Sequence, residues 1–309
     1  MLVPGTGQLA RADTFPLPAG NGSVVGESFT VSARGEDTLL DIARRYGLGR
    51  DEIVAANVGV NVWMPGTGTE IRVPRRYVLP DGPWLGVVLN LPEMRLYHFP
   101  DAVNGAEPMV TTHPVSIGRQ DWKTPLGETR IVSKVKNPTW YPPASVRAEH
   151  AADGDPLPSV VPPGPDNPLG GYAMRLGIPG YLIHGTNKPY GVGMRVSHGC
   201  IRMYPEDIVS LFSQVPDNVP VRIINQPVKA GWRDNELYLE VHSPLEEDTH
   251  LAESLDDIAF QTVQAQIGDR AVSLDTRAIR EVAARRDGVP TVVAEARERP
   301  DAGMTITSD

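Results

Sequence analysis

One cysteine, few aromatic residues and no long apolar run define what this chain of 309 residues does without. Cys200 is the single cysteine, so no internal disulfide can form and no CxxC metal pair exists. No apolar stretch approaches the roughly 18 to 20 residues of a membrane-crossing helix. Basic residues are in deficit, with 29 Lys and Arg against 38 Asp and Glu for a net charge of −9. That balance argues against a broad nucleic-acid face, which needs clustered positive charge, and leaves neutral sugar or peptide polymers as partners. Aromatics supply 6%, whereas Gly and Pro stand at 30 each, a composition that predicts many turns and loops. The opening MLVPGTGQLARADTFPLP has neither the charged region nor the apolar core of a secretory leader. The length suggests about two domains.

What is present converges on YLIHGTNKPYGVGMRVSHGCIRM, residues 181–203. Cys200 follows His198 by two residues and His184 by sixteen. A free thiol titrates near pH ~8.5, so it needs a nearby base to act as a nucleophile at neutral pH. His184, at the end of an apolar run, and His198, on the same face of an extended chain as Cys200, are both candidates for that base. Gly199 has no Cβ, so the N–H groups of Gly199 and Cys200 could face an oxyanion. Arg202, two residues past the cysteine, carries a fork suited to a carboxylate. Two other readings stand beside this one. Cys200 could be a small buried hydrophobe, or His184, His198 and Cys200 could be three zinc ligands. His98, His113, His150, His242 and His250 lack comparable neighbours and read as surface or packing residues. The Gly191-x-Gly193 pair reads as turn flexibility.

Composition and periodicity divide the chain. Residues 1–26 read as a leader or linker. Residues 27–75 read as β-α-α-β: a strand at 29–31, a helix with Leu39, Ile42, Ala43 and Tyr46 on one face, a second helix at 51–57, and a strand at 70–73. Asp37 is placed to cap the first helix and Gly47 to end it. Residues 82–226 are β-rich, with a hairpin at 85–91 and 94–99 and strands at 110–117, 128–136, 172–176, 181–184 and 219–224. A helix at 206–214 interrupts them. The proline-dense stretch 138–168 reads as an irregular wall or lid over a cleft. Residues 227–309 form an extension with a strand at 236–241 and a helix at 276–286. Asp275 is its cap and Gly288 its stop, and the end frays after about residue 298. This extension carries no obvious chemistry.

His184 followed by Ser197-His198-Gly199-Cys200 resembles the signature of L,D-transpeptidases. Glu93-Met94-Arg95-Leu96-Tyr97, Thr124-Pro125-Leu126-Gly127, Pro165-Asp166-Asn167-Pro168-Leu169-Gly170 and His184-Gly185-Thr186-Asn187 are similar to the periplasmic branch of Gram-negative bacteria. Residues 27–75 resemble a LysM module through Glu36-Asp37-Thr38-Leu39, Ile42-Ala43, Tyr46, Asn57 and Ile71-Val73-Pro74. The resemblance implies a mainly β catalytic domain, a mixed-sheet sandwich with the cysteine under a capping loop. A small α+β module that binds peptidoglycan precedes it, and a partly helical extension follows. It implies that Cys200 attacks the meso-diaminopimelate carbonyl of a tetrapeptide stem, releases D-alanine and passes the acyl group to an amine. That amine belongs to a second diaminopimelate or to a lysine of an outer-membrane lipoprotein. His184 then matches the acid–base partner, the Gly185 carbonyl its orienting group, and His198 the signature histidine. Ser197, Gly199, Tyr172 and Arg202 match the substrate-binding surface, Arg202 standing where the commonly quoted motif has Asn. No cofactor or metal is implied. Carbapenem acylation and a periplasmic location are implied, with the leader removed or outside this sequence. A peptidoglycan-binding protein without catalysis and a zinc hydrolase are the rival classes.

Overall fold

A computed structural model describes residues 13–102 and 105–297. Its centre is a nine-stranded mixed sheet, in the order Asp13–Pro16, Met109–Pro114, Arg95–Phe99, Gly86–Asn90, Pro220–Ile224, Gly127–Lys136, Tyr172–Leu176, Leu182–His184 and Ile201–Arg202. The hairpin strands Gly86–Asn90 and Arg95–Phe99 are buried along their whole length. Gly86–Asn90 therefore reads in sequence as an apolar run, whereas Arg95–Phe99 buries Arg95 and His98 along with its apolar residues. Gly127–Lys136 pairs with Pro220–Ile224 at one end and Tyr172–Leu176 at the other, with a register irregularity between Ile131 and Ser133. Such an irregularity bends a strand and raises its twist. The main core, including Leu89, Leu96, Ile117, Ile131, Met174, Ile183 and Ile201, is closed by Ile208 and Leu211 of the helix Pro205–Gln214.

The leader reading of residues 1–26 fails for its second half. Asp13–Pro16 is an edge strand of the central sheet, in register with Met109–Pro114, and Val24–Gly26 pairs with Arg76–Val78. These strands of four and three residues are too short to show a period, and burial of Val24, Val25 and the Asp13–Arg75 ion pair holds them. Residues 1–12, and the expected frayed end from 298, lie outside the described residues.

The β-α-α-β order is present at 29–73. Phe29–Ser32 lies antiparallel to Glu70–Val73, and Leu39–Arg45 and Arg50–Ala56 pack over a core of Leu39, Ile42, Ala43, Leu48, Ile53, Ile71 and Val73. The cap is Thr38, not Asp37. Thr38 Oγ1 accepts from the Asp41 N–H at 3.1 Å and the Asp41 carboxylate accepts from the Thr38 N–H at 3.0 Å, a reciprocal capping box. Asp37 pairs instead with Arg45. This unit docks on the central domain. Arg44 grips Glu206 with two bonds of 2.8 and 2.9 Å, and the Arg50 and Asp51 N–H groups donate to the carbonyls of Val192 and Gly193. Gly49 and Gly193 meet so closely that a Cβ on Gly193 would lie 2.4 Å from the Gly49 Cα.

The extension is α+β, with the expected strand Glu236–Val241 joined by three more. Val228–Arg233, Glu236–Val241, Thr291–Ala296 and Val272–Leu274 form a four-stranded sheet in that order, packed on the helices Leu255–Ile267 and Thr276–Arg285. Asp275 caps the second helix as expected, accepting from the N–H groups of Arg277 and Ala278. Its stop is Arg286, left-handed at φ 52°; Gly288 instead leaves room for the His242 ring, which a Cβ there would meet at 2.5 Å. Lys229 fixes the junction between extension and central sheet. Its ammonium, 1% exposed, lies 2.8 Å from Glu93, 2.7 Å from Glu240 and 2.6 Å from the Val78 carbonyl.

Candidate active site

Strand alternation builds the site. Leu182–His184 and Ile201–Arg202 run parallel, pairing Ile183 with Ile201 and His184 with Arg202. The two isoleucines are fully buried in the core, so His184 and Arg202 share the opposite face. Cys200 lies immediately before the second strand and is half-buried. Its thiol donates toward the Gly180 carbonyl at 3.6 Å, and no hydrogen bond joins it to either histidine. Burial pushes the thiol above its ordinary range, while a Leu182 backbone hydrogen bond and the Arg202 charge pull it back.

His184 is 3% exposed, and its Nδ1 donates to the Gly185 carbonyl at 2.6 Å. The acceptor fixes the tautomer, so Nε2 carries the lone pair. Burial, then the Arg202 charge, push the ring down to about 3, against the Gly185 and Leu169 carbonyls, which favour its proton. At neutral pH the resting pair is therefore a thiol and a neutral imidazole. The Leu169 side is set by Asn167, which is fully buried. Its amide donates to the carbonyls of Pro138 at 2.9 Å and Pro162 at 3.1 Å, and its oxygen accepts from the Leu169 N–H at 2.9 Å.

His198 sits apart from that pair. Its Nε2 is 2.9 Å from Glu149, and its ring packs edge-on against Trp122 at 5.0 Å. Glu149 belongs to Ala144–Ala152, a helix within the proline-dense stretch expected to be irregular. The run ASVRAEHAA, free of Gly and Pro and directly after Pro142-Pro143, was the available signal for it. Arg119 holds the other Glu149 oxygen at 2.6 Å and keeps that carboxyl below the usual range. Nothing in the sequence pattern points to Glu149 or Trp122 as neighbours of His198. His150, read as a plain surface or packing residue, also lies beside it, ring to ring at 6.4 Å.

Ser197 and Gly199 shape the turn rather than present free groups. Ser197 is fully buried; its hydroxyl donates to the Cys200 carbonyl at 2.5 Å and accepts from the Gly199 N–H at 3.2 Å. The expected oxyanion pair is thus reduced, because the Gly199 donor is taken and only the Cys200 N–H is left of the two. The Gly199 carbonyl accepts from Thr124 Oγ1 at 2.9 Å. Gly199 adopts φ 96°, and a Cβ there would lie 2.7 Å from Tyr181 Cε1, so both backbone and space demand glycine. Tyr172 packs edge-on against Phe212 at 4.8 Å, with its strand neighbour Lys136 over its ring. Arg202 forms no ion pair among the described residues and lines a cavity of about 260 Å³ with Lys188, Thr186 and Ser116.

The zinc set is not assembled. His198 is bound to Glu149 and His184 to the Gly185 carbonyl. The group with ligand spacing among the described residues is Glu93, Glu240 and His242, far in sequence from Cys200. The Lys229 ammonium already occupies its charge, touching both carboxylates.

The YkuD family model, described as the L,D-transpeptidase catalytic domain, matches residues 86–223. "Probable L,D-transpeptidase YcfS" of Escherichia coli is 40% identical over 92% of this chain and 89% of its own length. "Probable L,D-transpeptidase YbiS" of the same species is 42% identical over 76% of this chain and 77% of its own. "Probable L,D-transpeptidase ErfK/SrfK" of Salmonella typhimurium is 38% identical over 93% of both. Among solved structures, L,D-transpeptidase 3 of Mycobacterium tuberculosis aligns with 52% of this chain and 67% of its own at 19% identity and a TM-score of 0.34, too loose a likeness to bear on the site. Matches of this identity along nearly the whole chain, with the His184 and Ser197-His198-Gly199-Cys200 signature inside the family-matched segment, place it in the L,D-transpeptidase family.

Proposed function

We propose that this chain is a peptidoglycan L,D-transpeptidase that works through a thioester on Cys200. The observation that carries the reading is His184: buried, neutral, with Nδ1–H fixed on the Gly185 carbonyl and Nε2 left to accept a proton on the face it shares with Cys200 and Arg202. Cys200 gives its S–H proton to His184 Nε2 as sulfur bonds to the meso-diaminopimelate carbonyl carbon of a tetrapeptide stem. The Cys200 N–H supports the oxyanion. The C–N bond to D-alanine then breaks, and the departing nitrogen takes the proton from His184. An acceptor amine attacks the thioester, and its proton returns through His184 to the sulfur as the new amide forms. The acceptor is a second diaminopimelate or a lipoprotein lysine. Because the resting pair is neutral, the thiolate forms only with substrate in place.

The module at 27–75 supplies glycan affinity in this reading, the domain at 82–226 the chemistry and 227–309 an extension packed on it, all acting in the periplasm. No helix among the described residues is long and apolar enough to cross a membrane. Mass spectrometry after incubation with a carbapenem tests the proposal. One adduct per chain, mapped to Cys200 and absent in Cys200→Ala, is expected. Binding to sacculi without any adduct would instead support the non-catalytic rival.

A further inference from the structure

We propose that the cavity between Arg202 and Lys188 is a carboxylate subsite that holds the α-carboxylate of the departing D-alanine and then favours, of the two acceptors above, the diaminopimelate amine, whose carbon also bears a carboxylate. It rests on the transpeptidase reading and assigns the leaving-group and acceptor side of that same site.

Charge singles the cavity out. The chain has an excess of acid, and three cations near the Cys200 turn are neutralised: Arg119 by Glu149 at 2.6 Å, Arg195 by Glu247 at 2.9 Å, and Lys123 by Glu247 at 4.0 Å. Arg202 and Lys188 have no carboxylate partner among the described residues, yet both line one cavity. The remaining polar side chains there are already engaged. Ser116 Oγ donates to the Gly191 carbonyl at 2.6 Å, and Thr186 Oγ1 accepts from the Lys188 N–H at 3.0 Å. What stays open is a pair of positive charges against the apolar walls of Val192 and Val196. An anion with a small alkyl group matches that lining.

Position identifies the anion. Arg202 is the register partner of His184 across two parallel strands, and neighbouring strands lie about 4.8 Å apart. In the reading above, every amine that leaves or enters exchanges its proton with His184. In an α-amino acid the carboxyl carbon is attached to the carbon that bears that nitrogen. A carboxylate so placed falls one strand over from His184, where the Arg202 fork stands. The cavity, about 260 Å³, is small beside the roughly 300–1,000 Å³ of sites that enclose whole ligands, so it takes one residue and not a stem. Its far wall is pinned, since the Arg50 N–H donates to the Val192 carbonyl at 2.9 Å.

The test compares two tetrapeptide donors in the full chain, one ending in D-alanine and one in D-alaninamide, with the acceptor held constant. A charge-assisted hydrogen bond predicts a preference in kcat/KM of about ten- to a hundredfold for the free carboxylate. Lys188→Ala and Arg202→Ala should each shrink that ratio, with the Lys188 loss falling mainly on KM, and Arg202→Lys should restore part of it. Lys188 is exposed, so its variant carries little folding risk. Equal turnover of the two donors by the unaltered chain, or an undiminished ratio in Lys188→Ala, would overturn the subsite while leaving the transpeptidase reading intact. Turnover of neither donor, together with no carbapenem adduct on Cys200, would overturn both.

Discussion

Lowering the pH should discharge stability stored at His184, by an amount that follows from its burial. The ring is pushed from its ordinary 6.5 down to about 3, burial being the largest cause and the Arg202 charge the next. A base whose folded value lies below its unfolded value binds more protons in the unfolded chain. Stability is therefore intact above 6.5 and falls as the pH drops from 6.5 towards 3. Integrating the proton uptake between about pH 7 and pH 4.5 gives a loss of about 2–3 kcal/mol from this one residue. Urea unfolding at the two pH values, in the unaltered chain and in His184→Asn, isolates that loss. Titrations elsewhere cancel in the difference, including that of His98, pushed to about 4 by burial and by His113. The unaltered chain should lose about 2–3 kcal/mol more than the variant over this range. The His184 ring resonances should show no inflection between about pH 5 and 8. Equal losses in the two chains, or an inflection near 6.5, would refute the account of a neutral buried base.

Three other outcomes follow from the same contacts. Lys229→Met leaves the Glu93 and Glu240 carboxylates facing each other without their shared cation, which should cost roughly 3–5 kcal/mol and lower Tm by about 10 °C; a shift within about 2 °C in thermal unfolding would contradict it. Gly199→Ala must place a methyl 2.7 Å from Tyr181 Cε1 at a backbone φ of 96°, so carbapenem acylation should slow at least about tenfold in a stopped-flow assay. Asn167→Ala strands the Pro138 and Pro162 carbonyls and the Leu169 N–H, at about 1–3 kcal/mol, and limited proteolysis should then cut faster within residues 137–171.

The closeness of the His184 and Cys200 segments was legible in the sequence because their placement is local. An apolar run ending at His184 and a cysteine followed by Ile201 and Arg202 suffice to predict neighbouring strands, and the parallel pairing Ile183–Ile201 realises them. What stayed hidden is set by the path of the chain in space. Glu149 reaches His198 across 49 residues, through a helix whose position depends on how the whole proline-dense stretch folds. The Gly199 N–H looked available because nothing in Ser-His-Gly-Cys says that the Ser197 hydroxyl turns back to take it. The strand Val228–Arg233 went unread because a lysine sits within it, and only the convergence of Glu93 and Glu240 makes burial of that lysine tolerable. Asp13–Pro16 had too few residues for any period to register.

The Lys229 cluster also bears on how such chains can be recombined. Drawn along the sequence, module, catalytic domain and extension look like exchangeable cassettes. Yet one ammonium is solvated by Glu93 from the catalytic hairpin, the Val78 carbonyl from the connecting strand, and Glu240 from the extension. A crossover at residue 226 that brings in an extension without this lysine strands Glu93 in the interior, and the reciprocal product leaves Lys229 with Glu240 but without its second carboxylate. Shuffled chimeras should therefore survive only when positions 93, 229 and 240 are inherited together, which makes three residues distant in sequence a single unit of heredity.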